Sequence, residues 1–163
     1  PDDGARSKGN ATVDTNRTAT GEAALGFVVK RADRQQAGAD GQVCRAGDQL
    51  RLLATQQAWS YGLAFSVDAA GHVEPLLVGP DGKSLPLARG RDLPLPGGRE
   101  LDDYVGPEWY WLIVSERPLE LAASAAEARR SVLDHVARGG RPADLELTVE
   151  EGARALGFWI DKR

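Results

Sequence analysis

The clearest two-residue rhythm in the chain runs from Trp59 to Asp68. Trp59, Tyr61, Leu63, Phe65 and Val67 fall on one face, and Ser60, Gly62, Ala64 and Ser66 on the other. Such alternation predicts a strand. Gln49 to Thr55 repeats it, with Leu50, Leu52 and Ala54 opposed to Arg51, Leu53 and Thr55. Ala24 to Arg31 and Glu108 to Glu116 are denser β-branched and aromatic runs, the second read as a strongly buried strand. Asp68-Ala69-Ala70-Gly71 supplies turn chemistry and predicts a hairpin into His72 to Val78; Gly79-Pro80-Asp81-Gly82 is a second turn. A short strand is predicted at Gln42 to Arg45 and another near Arg99 to Asp102. Ser84 to Gly98 holds three prolines, which lack a ladder donor, so it reads as an edge strand or extended loop.

Beyond Leu119 the rhythm changes. Ser124 and Glu127 have capping-box spacing, and alanine-rich helical sequence continues to Arg138 with Gly139 and Gly140 as the stop. Ala125, Ala128, Val132 and Val136 share a helical stripe, with Leu133 beside it. Asp144 to Val149 and Ala155 to Asp161 read as two last strands. The final one echoes the first, ALGFWIDKR against ALGFVVKR, and the two are candidates for neighbours that close a sheet. The expected fold is mainly β: an antiparallel sandwich or barrel of seven to nine strands, with one main helix near the C-terminus.

Residues 1–22 depart from this pattern. One large aliphatic residue, Val13, stands among Gly, Thr, Asn, Asp and Arg, so the segment is expected to be a disordered linker or tether before a single domain at 23–163. Its N-x-T triplets at Asn10 and Asn16 read as chance features of such a linker. The 163 residues contain no methionine, so the sequence reads as part of a longer protein whose upstream segment is missing. The longest apolar run, Trp109 to Val114, is far shorter than the ~20 residues a bilayer-crossing helix needs. The 16 arginines against 4 lysines, with much Ala and Gly, suggest a GC-rich bacterial genome. A net charge of −4 argues against a nucleic-acid partner and against docking on anionic lipid.

Candidate chemistry is sparse. Cys44 is the single cysteine, and the only histidines, His72 and His135, lie far from it in sequence. A Cys–His site or a metal site built from the three is disfavoured, since ligands at structural-zinc spacing are absent. Asp102, Asp103 and Glu108 cluster before a strand, where paired acids would serve as acid and base or where Asp would cap a turn. No phosphate-cradling glycine motif occurs, and no cofactor is expected. The aromatic residues Trp59, Tyr61, Trp109, Tyr110 and Trp111 concentrate in two strands. Alternation puts Trp109 and Trp111 opposite Tyr110, so one side would offer a partner- or ligand-binding platform unless a helix or loop covers it.

The succession ALGFVVKR, RAGDQLRLLAT, YGLAFSVDAAGHVEPLLVGPDG, GRDLPLPGGRELDDYVGPEW and SERPL resembles a bacterial family of extracytoplasmic domains of unknown function. That family occurs in myxobacterial envelope proteins, some with anti-sigma-factor-like N-terminal parts. The resemblance spans about Leu25 to Leu119 and leaves out the helix and final strands. It implies a β-rich fold, a periplasmic or extracytoplasmic location and anchoring by the missing upstream segment, and it brings no catalytic residues. The expected function is non-enzymatic sensing or interaction with a protein or small ligand in the envelope. One alternative is a small carboxylate-dependent hydrolase or carbohydrate-active domain using Asp102, Asp103 and Glu108; another is a structural assembly subunit.

Overall fold

The computed structural model describes residues 23–163; the linker read at 1–22 lies outside the described residues. In chain order the strands are β1 (Ala23–Arg31), β2 (Arg34–Ala37), β3 (Gln42–Cys44), β4 (Gln49–Gln56), β5 (Tyr61–Asp68), β6 (Val73–Leu77), β7 (Leu85–Pro86), β8 (Gly90–Pro94), β9 (Arg99–Glu100) and β10 (Gly106–Ser115). Helix α1 (Leu121–Ala137), a short 3-10 turn at Pro142–Asp144 and β11 (Ala153–Lys162) follow. The strand total exceeds the expected range because the Pro-rich run contributes brief pairings. It crosses from one sheet to the other: β7 pairs with β5, and β8 with β4.

Sheet one runs β2-β1-β4, with β8 and β9 both on the far side of β4. Sheet two runs β3-β11-β10-β5, with β6 and β7 beyond β5. Pairings are antiparallel, apart from β3 with β11. The sheets face each other across a core of Leu25, Phe27, Leu50 and Leu52 on one side and Leu112, Leu156, Phe158 and Ile160 on the other. Phe27 stacks on Phe158 at 4.0 Å, and Phe158 on Tyr110 at 5.0 Å. The echoed first and last strands therefore meet face to face across the core. They do not adjoin in one sheet, because β1 is flanked by β2 and β4.

The reverse face of sheet two is buried as well. Leu63, Phe65, Val67, Trp109, Trp111 and Ile113 pack under Leu119, Ala128 and Val132, with Leu145, Leu147 and Val149 beside them. A strand covered on both faces has no use for polar alternates. That is why Glu108 to Ser115 is buried at every position.

Three local expectations are corrected here. Trp59 precedes β5 and joins the inter-sheet core, so it does not continue the row of Leu63, Phe65 and Val67 on the reverse face. Helix α1 starts at Leu121 with Glu120 at its N-cap and no side-chain cap, so Ser124 lies inside the first turn. The cap is tertiary: the Gly82 carbonyl accepts the Leu121 N–H at 2.9 Å, and Ser84 Oγ accepts the Leu119 N–H at 2.7 Å. Asp144 to Val149 forms no strand; beyond the 3-10 turn it is a strap without ladder pairing, its half-buried Leu145, Leu147 and Val149 resting on sheet two. The helix stop is as expected. Gly139 takes φ 69°, and the Gly140 N–H reaches the His135 carbonyl at 2.9 Å, a Schellman closure. Val136, in that last turn, is exposed.

Candidate functional site

The five aromatic candidates occupy three separate places. Tyr110 is fully buried between the sheets. Trp59 is half-buried at the core margin under the Arg154 guanidinium, 5.5 Å from the ring centre, and Tyr61 is half-buried where β5 starts opposite Ser115. Trp109 and Trp111 share the reverse face of sheet two, only 3% and 4% exposed because α1 and the strap cover that face. No open platform joins the five.

The strap does leave a groove beside these two indoles. In the β10–β11 ladder Trp109 stands opposite Trp159, and Trp111 opposite Gly157. A β-carbon on residue 157 would lie 2.6 Å from Trp111 Cδ1, so only glycine lets that indole cross the neighbouring strand. The Trp109 Nε1–H donates to the Pro142 carbonyl at 3.0 Å and ties down the start of the strap. Between Pro142–Leu147 and β11 remains a cavity of about 330 Å³, with Trp109, Trp111 and Trp159 along its sheet side. Among the described residues its charged lining is Asp40 and Glu146, and no basic side chain contributes.

Trp159 and Asp40 give this groove its polar character. Asp40 Oδ1 accepts the Trp159 backbone N–H at 3.3 Å. Burial raises the Asp40 carboxyl above the usual carboxylate range, against the lowering effect of that hydrogen bond. The Trp159 Nε1 is buried and donates to nothing among the described residues. A buried donor without an acceptor is costly, so a ligand or water that accepts from it would be favoured. Trp159, Gly157, Asp40 and Glu146 were not among the sequence candidates. The odd-numbered positions of β11 line up Ala155, Gly157 and Trp159, a pattern readable in principle, but nothing in the sequence announces that the strap leaves space there.

The acidic candidates went elsewhere. Glu108 is buried at the end of the inner face of sheet two, where Oε1 accepts from Ser66 Oγ at 2.8 Å and from Arg99 Nη1 at 2.6 Å. Its Oε2 has no hydrogen bond and lies 3.4 Å from Lys162 Nζ. Lys162 is 1% exposed and also pairs with Asp102. That contact, with help from the hydrogen bond that the Tyr104 N–H donates to Asp102 Oδ1, holds the Asp102 carboxyl below its usual range. Asp103 is exposed. Asp102 and Glu108 thus share one ammonium, and the indole groove is lined by other carboxylates, Asp40 and Glu146.

Cys44 closes β3 and is fully buried. Burial first, then the charge of Asp48, pushes its thiol up to about 11, so it stays protonated at neutral pH. His72 faces Glu74 at 3.7 Å and His135 the Arg141 carbonyl at 2.7 Å, so neither imidazole serves the thiol. No group of three or more His, Cys, Asp or Glu side chains suited to a metal ion occurs among the described residues. None of the described helices is long and apolar enough to cross a membrane. In comparisons with known proteins, no family model, no curated protein and no solved structure matches the chain.

Proposed function

We propose that this domain is a non-enzymatic recognition module of a bacterial envelope protein, working in the periplasm as the sensing part of an anti-sigma-like regulator. The envelope setting rests on the family resemblance between Leu25 and Leu119. The observation that carries the recognition role is the groove under the strap, where three indoles, one with a buried N–H that donates to nothing among the described residues, meet a lining whose charged members among those residues are carboxylates. Indole faces attract cations and sugar-like apolar faces, and carboxylates favour a cation or a hydroxyl donor. The occupant is therefore an uncharged or cationic small ligand, or a partner segment that presents such a group.

The test is a titration followed by the indole N–H resonances of the ¹⁵N-labelled chain. Spermidine, a choline-type ammonium and neutral oligosaccharides are compared with anionic sugars. The expected result is saturable movement of the Trp111 and Trp159 signals with a cationic or neutral ligand and none with anions. Indifference to every member of the panel, or movement with anions alone, overturns the reading. Recovery of the full-length gene product in the cytosol overturns the location.

A further inference from the structure

A second cavity lies on the opposite side of sheet two, where the sandwich opens between the edge strand β6 and the β4 side of sheet one. It holds about 150 Å³ and is walled by Leu50, Leu52, Leu77 and Leu95, with Glu74 and Arg99 among its polar lining. The opening has a local cause. The β5–β6 ladder is irregular at Ala64 and Phe65, whose partners are Leu77 and Pro75, so Leu76 is skipped. Such a bulge bends β6.

Arg99 is an unusual wall for an apolar slot. Its side chain is only 14% exposed. Nη1 alone meets three acceptors: Ser66 Oγ at 2.6 Å, Glu108 Oε1 at 2.6 Å and the Tyr110 hydroxyl at 3.3 Å. Those bonds fix the guanidinium plane. Nε and Nη2 hydrogen-bond to nothing among the described residues. A guanidinium held rigid on one nitrogen, with its Nε–Nη2 edge unused, is preorganised for a bidentate oxyanion. Leucine walls match an acyl chain and offer nothing to a free inorganic ion.

We infer that this slot binds an amphiphilic monocarboxylate, with the carboxylate on the Nε–Nη2 edge of Arg99 and the acyl chain among Leu50, Leu52, Leu77 and Leu95. Glu108, already paired with Arg99, and Glu74, half-exposed in the same lining, both oppose the incoming charge and limit affinity. The site is separate from the indole groove and does not depend on it.

The experiment is calorimetric titration of the full chain with octanoate, with octanol, octylamine and acetate as controls, and with backbone amide shifts as the locator. Octanoate is expected to bind saturably and to move amides of 74–77 and 95–99, while the controls bind at least about tenfold more weakly. Glu74→Gln is expected to tighten binding. Arg99→Lys is expected to weaken it about tenfold or more, because an ammonium cannot grip both oxygens. Arg99 also supports Glu108, so Leu77→Phe, which fills the slot and leaves every charge in place, provides a second route to abolition with the melting temperature as the fold check. Absence of octanoate binding below about 1 mM, equal binding of octanol, indifference to both Arg99→Lys and Leu77→Phe, or shifts confined to the Trp111–Trp159 groove would each overturn the assignment.

Discussion

Lys162→Met isolates the worth of one buried charge. The lysine is 1% exposed, so methionine keeps most of the apolar stem and removes the ammonium. The lost pair with Asp102 is minor, because Asp102 is 54% exposed and water screens it. The larger loss concerns Glu108. Its Oε1 keeps Ser66 and Arg99, but Oε2, already without a hydrogen bond, would have no counter-charge at 3.4 Å. Leaving a buried charge without its partner costs about 3–5 kcal/mol. Because Arg99 retains half of the compensation, the lower end applies, about 3 kcal/mol. At 2–4 °C per kcal/mol for a chain of this size, the melting temperature should fall by roughly 10 °C. Near-ultraviolet circular dichroism of the buried tryptophans reads the transition. Adding Glu108→Gln should recover only part of the loss: it removes the charge stranded at Oε2, but it also takes the counter-charge from Arg99, 14% exposed, to which the amide oxygen still offers an acceptor. A drop below about 0.5 kcal/mol, or a loss in the double variant equal to the sum of the losses in Lys162→Met and Glu108→Gln alone, would refute the buried-pair account.

Three further contacts each set a measurable stability. Gly157→Ala places a methyl 2.6 Å from Trp111 Cδ1, so it should cost about 1–3 kcal/mol and alter tryptophan fluorescence, both read in one thermal melt. Ser84→Ala should destabilise by about 1–2 kcal/mol in a urea titration, because Ser84 Oγ accepts the buried Leu119 N–H, whereas Ser124→Ala should stay within about 0.5 kcal/mol. Asp48 has its carboxyl held low, first by the Arg31 hydrogen bond, and is 3% exposed. A depressed carboxyl adds stability that is present above its unfolded value near 4 and is lost as pH falls through the lower folded value. Urea midpoints measured from pH 5 down to 2 should therefore decline less steeply for Asp48→Asn than for the parent.

Much of this fold can be read from parity. Leu50, Leu52 and Ala54 face the core as their alternation requires, and the Asp68–Gly71 hairpin forms, with Asp68 N–H on the His72 carbonyl at 3.1 Å. The same parity runs through Glu108, Tyr110, Leu112 and Val114, and through Lys162, Ile160, Phe158 and Leu156. Extended to their ends, those rows place Glu108 and Lys162 inside the sandwich. The sequence invites a different reading, because acids in a loop before a strand look like turn residues. Pairing decides the outcome: Glu108 sits in register with Asp68, and Arg99 arrives from β9 in the other sheet. The strap departs from parity for a related reason. Leu145, Leu147 and Val149 alternate like a strand, yet alternation reports only burial on one side and says nothing of a ladder partner.

The two faces of sheet two have been given different tasks by the same two-residue rhythm. Its inner rows end in charges at one end of the sandwich, where Arg99 spans from sheet one to Glu108 and Ser66. Closing that end entirely with apolar side chains would be more stable by the usual accounting of buried ion pairs. What remains instead is a rigid guanidinium with an unused edge at an apolar opening. Its outer rows are covered by two different layers. Helix α1 is fastened by the Gly82 and Ser84 caps and by the Arg129 Nε bond to the Gly71 carbonyl at 3.0 Å. Among the described residues the strap is held by side-chain packing and the Trp109–Pro142 bond, with cavities on both its flanks. A cover held by three half-buried aliphatic residues yields more readily than a ladder-bonded strand. On the proposed reading, a ligand at the indoles would therefore act first on the strap, which leads through the turn at 150–152 into β11, the strand that carries both Trp159 on the outside and Lys162 within.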